Sequence, residues 1–326
     1  TAVGYEALSA NIASGNTALG YQAAESTTTG SNNIAIGPNA MHANTTGARN
    51  IAIGTNAYDA SDTENDNLAI GDGAMTANTA GGTENVAIGN YAMDAHTSGD
   101  QNTAVGMNAM GGNTTGGNNT AVGRSSLFVN STGSDNTAVG RNALNQNTTA
   151  SNNTAVGSSA LDANTTGGKN TALGKGASQL NTTGYHQTAV GYHALNQCTE
   201  GQENTAVGYF SLTNITTGVN NVAVGVDAAR VMTTGAQNVA IGDRAGDSAT
   251  TGEKNTFIGR NAGATITTGS GNVCVGSQSG ASETTTSNQL WVARDATGVS
   301  NAATWIYGNA SGACYQGNNS SSWTTT

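Results

Sequence analysis

Proline, charge and bulky apolar side chains are all scarce in this chain of 326 residues, and each scarcity closes off a class of protein. Disordered segments are normally rich in proline and charge, yet only Pro38 is present and charged residues make up 9%. Aromatics at 5% leave too few large side chains for the two compact cores that the length would suggest. No uninterrupted apolar run of about 18 residues occurs, so the pattern of a membrane-spanning helix is absent, as is that of a signal peptide. The 46 glycines show no triplet period, which removes collagen. Lysine and arginine total 10 against 20 acidic residues and form no basic stripe, so no nucleic-acid partner is expected.

What is present is a period. Glycines preceded by an aliphatic residue stand at 4, 20, 37, 54, 71, 89, 106, 123, 140 and on to 276, almost always 17 residues apart. Seventeen copies read approximately Asn-(Thr/Val/Ile)-Ala-(Val/Ile/Leu)-Gly-x-x-Ala-(Leu/Met)-x-x-Asn-Thr-Thr-Gly-x-x. The residue before the glycine is aliphatic throughout, and the one before that is Ala except at Phe257 and Cys274. Such a unit is too short for two helices, and Asn-Thr-Ala-Val-Gly is poor helix material. In a strand the Thr/Val and Val/Ile places share one face and Ala takes the other. The fold class expected is therefore all-β: a parallel β-solenoid or β-roll of seventeen rungs over 1–284, stacked at roughly 4.8 Å for about 80 Å. Ala-Leu is expected to open a second short extended piece before Asn-Thr-Thr-Gly turns back.

Repeated residues then form ladders, represented by Asn50, Ala52, Ile53 and Gly54 in one rung and by Asn136, Ala138, Val139 and Gly140 in another. Stacked amides can bond from rung to rung, as in cross-β stacks. One chain offers few aliphatic side chains for a core, so the Ala-lined face is expected to need a partner, and a closed homotrimer is the natural assembly.

The units Asn136-Thr-Ala-Val-Gly-Arg-Asn-Ala-Leu144 and Asn50-Ile-Ala-Ile-Gly-Thr-Asn-Ala-Tyr58 resemble the head repeats of trimeric autotransporter adhesins and the β-roll repeats of bacteriophage tail fibres. The Asn-Thr-Thr-Gly insertion departs from the shorter adhesin repeat. Residues 285–326 leave the period and hold Trp291, Trp305 and Trp323 with Tyr307 and Tyr315. Gln289-Leu-Trp-Val-Ala293 and Thr304-Trp-Ile-Tyr-Gly308 read as strands around a turn at Asp295-Ala-Thr-Gly298. This segment is similar to the one preceding the intramolecular chaperone of phage tail fibres and endosialidase-type tailspikes. The resemblance implies a trimer templated by that chaperone, autocleavage after Thr326, a kinetically trapped product and a place on the virion, outside the cell. It also implies an upstream virion attachment module, consistent with a chain that begins mid-repeat. The function expected is a structural, non-enzymatic fibre for host-surface attachment. The head of a bacterial trimeric adhesin is the alternative, and an ice-binding solenoid or a polysaccharide-degrading tailspike are more remote ones.

Candidate chemistry is sparse. Residues 1–100 carry nearly all the net charge of −10. The acidic turn with Asp59, Asp62, Glu64 and Asp66, near Asp72, is a conceivable calcium site, but its spacing matches no loop motif and a solvated turn is expected, with no cofactor. A glycosidase would need two carboxylates flanking a sugar cleft, and no insertion large enough to form one is present. The Thr column suggests ordered water, yet no Thr-x-Thr pair of parallel ranks occurs. His42, His96, His186 and His193 read as scattered surface residues, and Cys198, Cys274 and Cys314 as an odd set that forms no disulfide within the stack. Trp291, Trp305, Tyr307, Tyr315 and Trp323 are the residues best suited to stack on a host glycan, unless they are buried at the trimer axis.

Overall fold

A computed structural model describes residues 1–78, 81–280, 284–293, 304–311, 314–317 and 323–325. The chain divides into two compact units, 1–168 and 169–326. Among the described residues all regular structure is strand, and each repeat forms one rung of a parallel β-solenoid. The first unit holds ten rungs, from strand Ala2–Val3 to strand Thr154–Val156, each adjacent pair parallel. Register is uniform, with Thr120 opposite Thr137, Ala121 opposite Ala138 and Val122 opposite Val139. The one long step also keeps register, with Leu68 opposite Val86. Gly81, at φ +106° and with open space where a Cβ would stand, lies in that longer connection.

The second unit holds seven rungs, from Thr171–Leu173 to Val273–Val275. Parallel pairing then continues one strand beyond the sequence repeat, to Leu290–Ala293. Strands Thr304–Gly308, Cys314–Gly317 and Trp323–Thr325 follow by antiparallel pairing. The expected turn at 295–298 lies outside the described residues.

The direction of the Ala column differs from expectation. Ala52, Ala138 and their equivalents are fully buried inside one chain, whereas the aliphatic residue beside the glycine is half-buried or exposed. The second extended piece does not form either. Leu144 has φ +51° and Asn142 φ +58°, and left-handed residues recur at these places in most rungs. A strand would send Ala143 and Leu144 to opposite sides, but with Leu144 left-handed both are buried. A 17-residue perimeter closes because these tight turns draw Ala, Ala and Leu or Met into a narrow interior. The missing core is thus inside the chain, and the Ala column supplies no reason for a partner.

Asparagine completes that interior. Asn136 donates its backbone N–H to Asn119 Oδ1 (3.0 Å) and its Nδ2 to Ala150 O (2.9 Å). Asn50 does the same with Asn33 Oδ1 (2.9 Å) and Glu64 O (2.7 Å). A second asparagine, from Asn-Thr-Thr-Gly, reaches the same carbonyl: Asn147 Nδ2 donates to Ala150 O (2.9 Å) and to Asn130 Oδ1 (2.8 Å) one rung earlier. Two amide columns therefore converge on one carbonyl per rung and use both its lone pairs. Asn44 and its equivalents are fully buried in this network, so sequons such as Asn44-Thr-Thr46 are shielded once the chain is folded. The Thr column ties rungs outside it, as where Thr148 Oγ1 donates to Thr165 O (3.1 Å).

Toward the end of the second unit the columns exchange size. Cys198, Ile215, Met232, Ala249 and Ile266 replace the second asparagine, and the Leu/Met place shrinks to Ala229, Gly246, Gly263 and Gly280. Phe257 explains two of these glycines, since a Cβ on Gly246 would stand 2.5 Å from Phe257 Cδ2 and one on Gly263 would also meet its ring. The Cys198 thiol, pushed up to about 11 by burial, is unreactive at neutral pH.

The glycine before each turn is needed for two reasons. Gly140 has φ +134°, and a Cβ there would stand 2.6 Å from Gly157 O in the next rung. Gly117 has no such φ, and its nearest neighbour would be Asp100 O at 3.2 Å. Gly140→Ala is expected to cost about 2 kcal/mol or more, and Gly117→Ala well under half as much. Thermal unfolding of both variants checks this, and equal losses would contradict the packing described.

Candidate functional site

With the interior filled, chemistry is left to the outer ranks. The place directly after the turn glycine carries the most varied side chains, among them Tyr21, Pro38, Thr55, Asp72, Asn90, Met107, Arg124 and Lys175. In two successive rungs of the second unit it carries Tyr192 and Tyr209, followed by His193 and Phe210. Inter-rung backbone bonds fix their alignment, with His193 N–H donating to Lys175 O (3.0 Å) and Phe210 N–H to Tyr192 O (3.0 Å). Gly176 leaves room for the imidazole, because a Cβ there would stand 3.0 Å from His193 Cε1.

The result is an aromatic cluster on the surface. Tyr192 and Tyr209 stack with centroids 5.4 Å apart and planes 13° from parallel, and they are 39% and 49% exposed. Phe210 stands edge-on to both, 5.5 Å from Tyr192 and 4.3 Å from Tyr209. His193 lies 4.2 Å from Tyr192 and 5.7 Å from Phe210. Lys175 Nζ sits 5.7 Å from the Tyr192 centroid, within cation–π range. The neighbouring carboxylate of Asp227 is shared between Arg230 (3.8 Å) and Arg244 (4.0 Å). A comparable stack in the first unit joins Tyr5 and Tyr21 at 5.4 Å and 11°, but there Glu6 accepts from Gln22 Nε2 (2.9 Å) beside it.

Sequence reasoning passed over this cluster because the three tryptophans drew attention to the C-terminal segment. The available signal was phase: 192 and 209, like 193 and 210, are one period apart, so their side chains had to meet.

The expected recognition residues fare differently. Trp291 does not present an exposed ring; it is 1% exposed, in the continuation of the Ala column opposite Cys274, with Gly280 leaving it space. The backbone places Trp291 opposite Tyr307, Tyr307 opposite Tyr315, and Trp323 opposite Gly317. The side chains of Trp305, Tyr307, Tyr315 and Trp323 lie outside the described residues.

The acidic turn does not gather its carboxylates. Asp66 is held below the usual carboxylate range by its hydrogen bonds to Arg49 (both 2.6 Å). Asp62 accepts from Thr45 Oγ1, and Asp59 lies 3.7 Å from His42 Nδ1, which faces Glu25 through Nε2 (3.1 Å). Glu64 is buried and accepts from the backbone N–H groups of Asp62, Thr63 and Gly81 (3.0, 3.0 and 3.1 Å). Among the described residues no three His, Cys, Asp or Glu side chains converge as metal ligands. No helix among them is long and apolar enough to cross a membrane. No protein-family model, curated protein or solved structure matches the chain.

One histidine departs from the surface reading. His96 is fully buried in the second asparagine column, with Nε2 2.8 Å from Gly99 O and Nδ1 3.1 Å from Asn113 Nδ2. Since Asn113 Nδ2 is a donor, Nδ1 must accept and Nε2 must carry the only proton. An asparagine here would have a second hydrogen for Asn78 Oδ1, which instead has no partner among the described residues. Ser61 leaves Asn44 Oδ1 in the same condition by donating to Asn78 O (2.8 Å). Burial lowers the His96 pKa. As pH falls through about 6.5 the unfolded chain takes up a proton that the folded rung resists, so stability falls. His96→Asn should remove this acid loss and, at neutral pH, gain about 1 kcal/mol from the restored bond. Melting curves from pH 7.5 to 5 for both proteins test it; parallel curves would refute the assignment.

Proposed function

We propose that the chain is the structural and adhesive part of an extracellular attachment fibre of the phage tail-fibre kind, acting by display and not by catalysis. The observation that favours this reading is the separation of scaffold from display. Asn, Ala, Gly and Leu or Met are repeated inside, while the exposed place after each turn glycine varies freely. Such a scaffold sets recognition groups at fixed intervals and lets them change without altering the core. The C-terminal segment adds support, because Leu290–Ala293 and Thr304–Gly308 are strands in the order that the chaperone-matured fibres imply.

The fibre is proposed as a homotrimer whose contact surface is the outward Thr/Val face of the strands. Val122, Leu173, Val224, Ile241 and Ile258 are exposed there. A second copy repeats at the same rung spacing and can meet this rank in register, which gives the assembly a basis independent of the Ala column. Its ligand is a host-surface glycan or receptor, engaged several times over by three chains.

Native mass and cell binding test the two halves of this reading. A species near three times 32.3 kDa that survives detergent without boiling is expected, and Val122→Glu should weaken it. A wild-type monomer at every concentration removes the trimer. A chain that coats no bacterial surface across a broad panel of strains removes the adhesive role.

A further inference from the structure

We propose that Lys175, Tyr192, His193, Tyr209 and Phe210 form a lateral binding site for an acidic polysaccharide built of hexuronate units. This rests on the adhesive reading above and names the ligand class of one of its surfaces.

Three features of the cluster select that ligand. First, the two near-parallel rings, with centroids 5.4 Å apart, remain 39% and 49% exposed. Exposed ring carbons beside phenol hydroxyls match a pyranose, which has an apolar C–H face and a rim of hydroxyls. Second, the cluster spans three rungs, from Lys175 to Tyr209, or roughly 10 Å at strand spacing. That suits two or three sugar units and is far too small for a stable protein–protein interface. Third, the charge is arranged for an anion. The Lys175 ammonium caps the stack at Tyr192, and the Asp227 carboxylate lies 3.8 Å from Arg230 and 4.0 Å from Arg244. A uronate resting on Tyr209 and Tyr192 would bring the carboxylate of the next unit toward Lys175.

The first unit supplies an internal comparison. Tyr5 and Tyr21 stack at the same distance, but Glu6 borders them and no lysine does. Among the described residues, tyrosine stacking is therefore present twice, and the cationic cap once. Only the 192–209 pair has the chemistry to hold an acidic sugar, and the Tyr5–Tyr21 pair should repel it.

Isothermal titration of the full chain with a galacturonate hexamer, against a neutral galactose hexamer, tests the assignment. The acidic hexamer should bind and the neutral one bind more weakly, with affinity for the former falling as salt is raised. Tyr209→Ala should weaken binding about tenfold, within the range of a lost aromatic contact. Lys175→Gln, an exposed change that leaves the fold alone, should weaken it about threefold to fivefold. Tyr21→Ala should leave it unchanged. Equal affinity for both hexamers, insensitivity to Lys175→Gln, or loss on Tyr21→Ala overturns the proposal. If galacturonate fails to bind while bacterial cells are still coated, this site is wrong and the fibre reading stands.

Discussion

One carbonyl oxygen per rung carries the architecture. In the regular rungs of the first unit, the carbonyl at the end of Asn-Thr-Thr-Gly accepts from two side-chain amides that arrive from different sides, as Ala150 O does from Asn136 and Asn147. A polar group in a dry interior must be satisfied or it costs several kcal/mol, and here the satisfaction is mutual. The amides close the turn upon itself and hold the rung before it. With backbone polarity met in this way, the apolar requirement on the interior becomes small. Two alanines and one Leu or Met are enough.

Narrowness follows from that economy. An interior only a few side chains wide tolerates an exchange of size between columns but no net change. Phe257 displaces two neighbours to glycine, and Tyr58 occupies a Leu/Met place, where its hydroxyl accepts from Asn67 Nδ2 (2.7 Å). Burial keeps the phenol neutral, its pKa pushed up to about 12 against the hydrogen bonds to Ser61 and Asn67, which lower it. At His96, as at Ser61, the exchange is incomplete, since a side chain with one proton to donate replaces an amide with two.

Much of this was legible in the sequence, and the failures have physical causes. Period, strand direction and register followed from the spacing of Gly54, Gly71 and their equivalents, because parallel stacking forces equal residues into contact. Which face of Thr-Ala-Val pointed inward did not follow. Strand alternation says that Ala138 and Val139 lie on opposite sides, but ordinary experience places the aliphatic residue inside. The left-handed φ at Asn142 and Leu144 decides otherwise, and a leucine gives no hint of it. His96 and Trp291 were misplaced for the same reason: a phase normally held by Asn or Ala is interior whatever stands there. The Tyr192–Tyr209 stack was available to the same logic of phase and needed only that it be applied to the variable places.

A chain made of near-identical units faces an ambiguity that ordinary folds avoid. Pairing shifted by one whole repeat would set Asn against Asn and Ala against Ala, and the regular columns would be indifferent to it. The irregular ones would not. Phe257 needs a glycine on either side, as Gly246 and Gly263 provide, and the 18-residue step that contains Gly81 occurs once in the sequence. These departures give each rung an address, so that a repetitive text can still be read in one way.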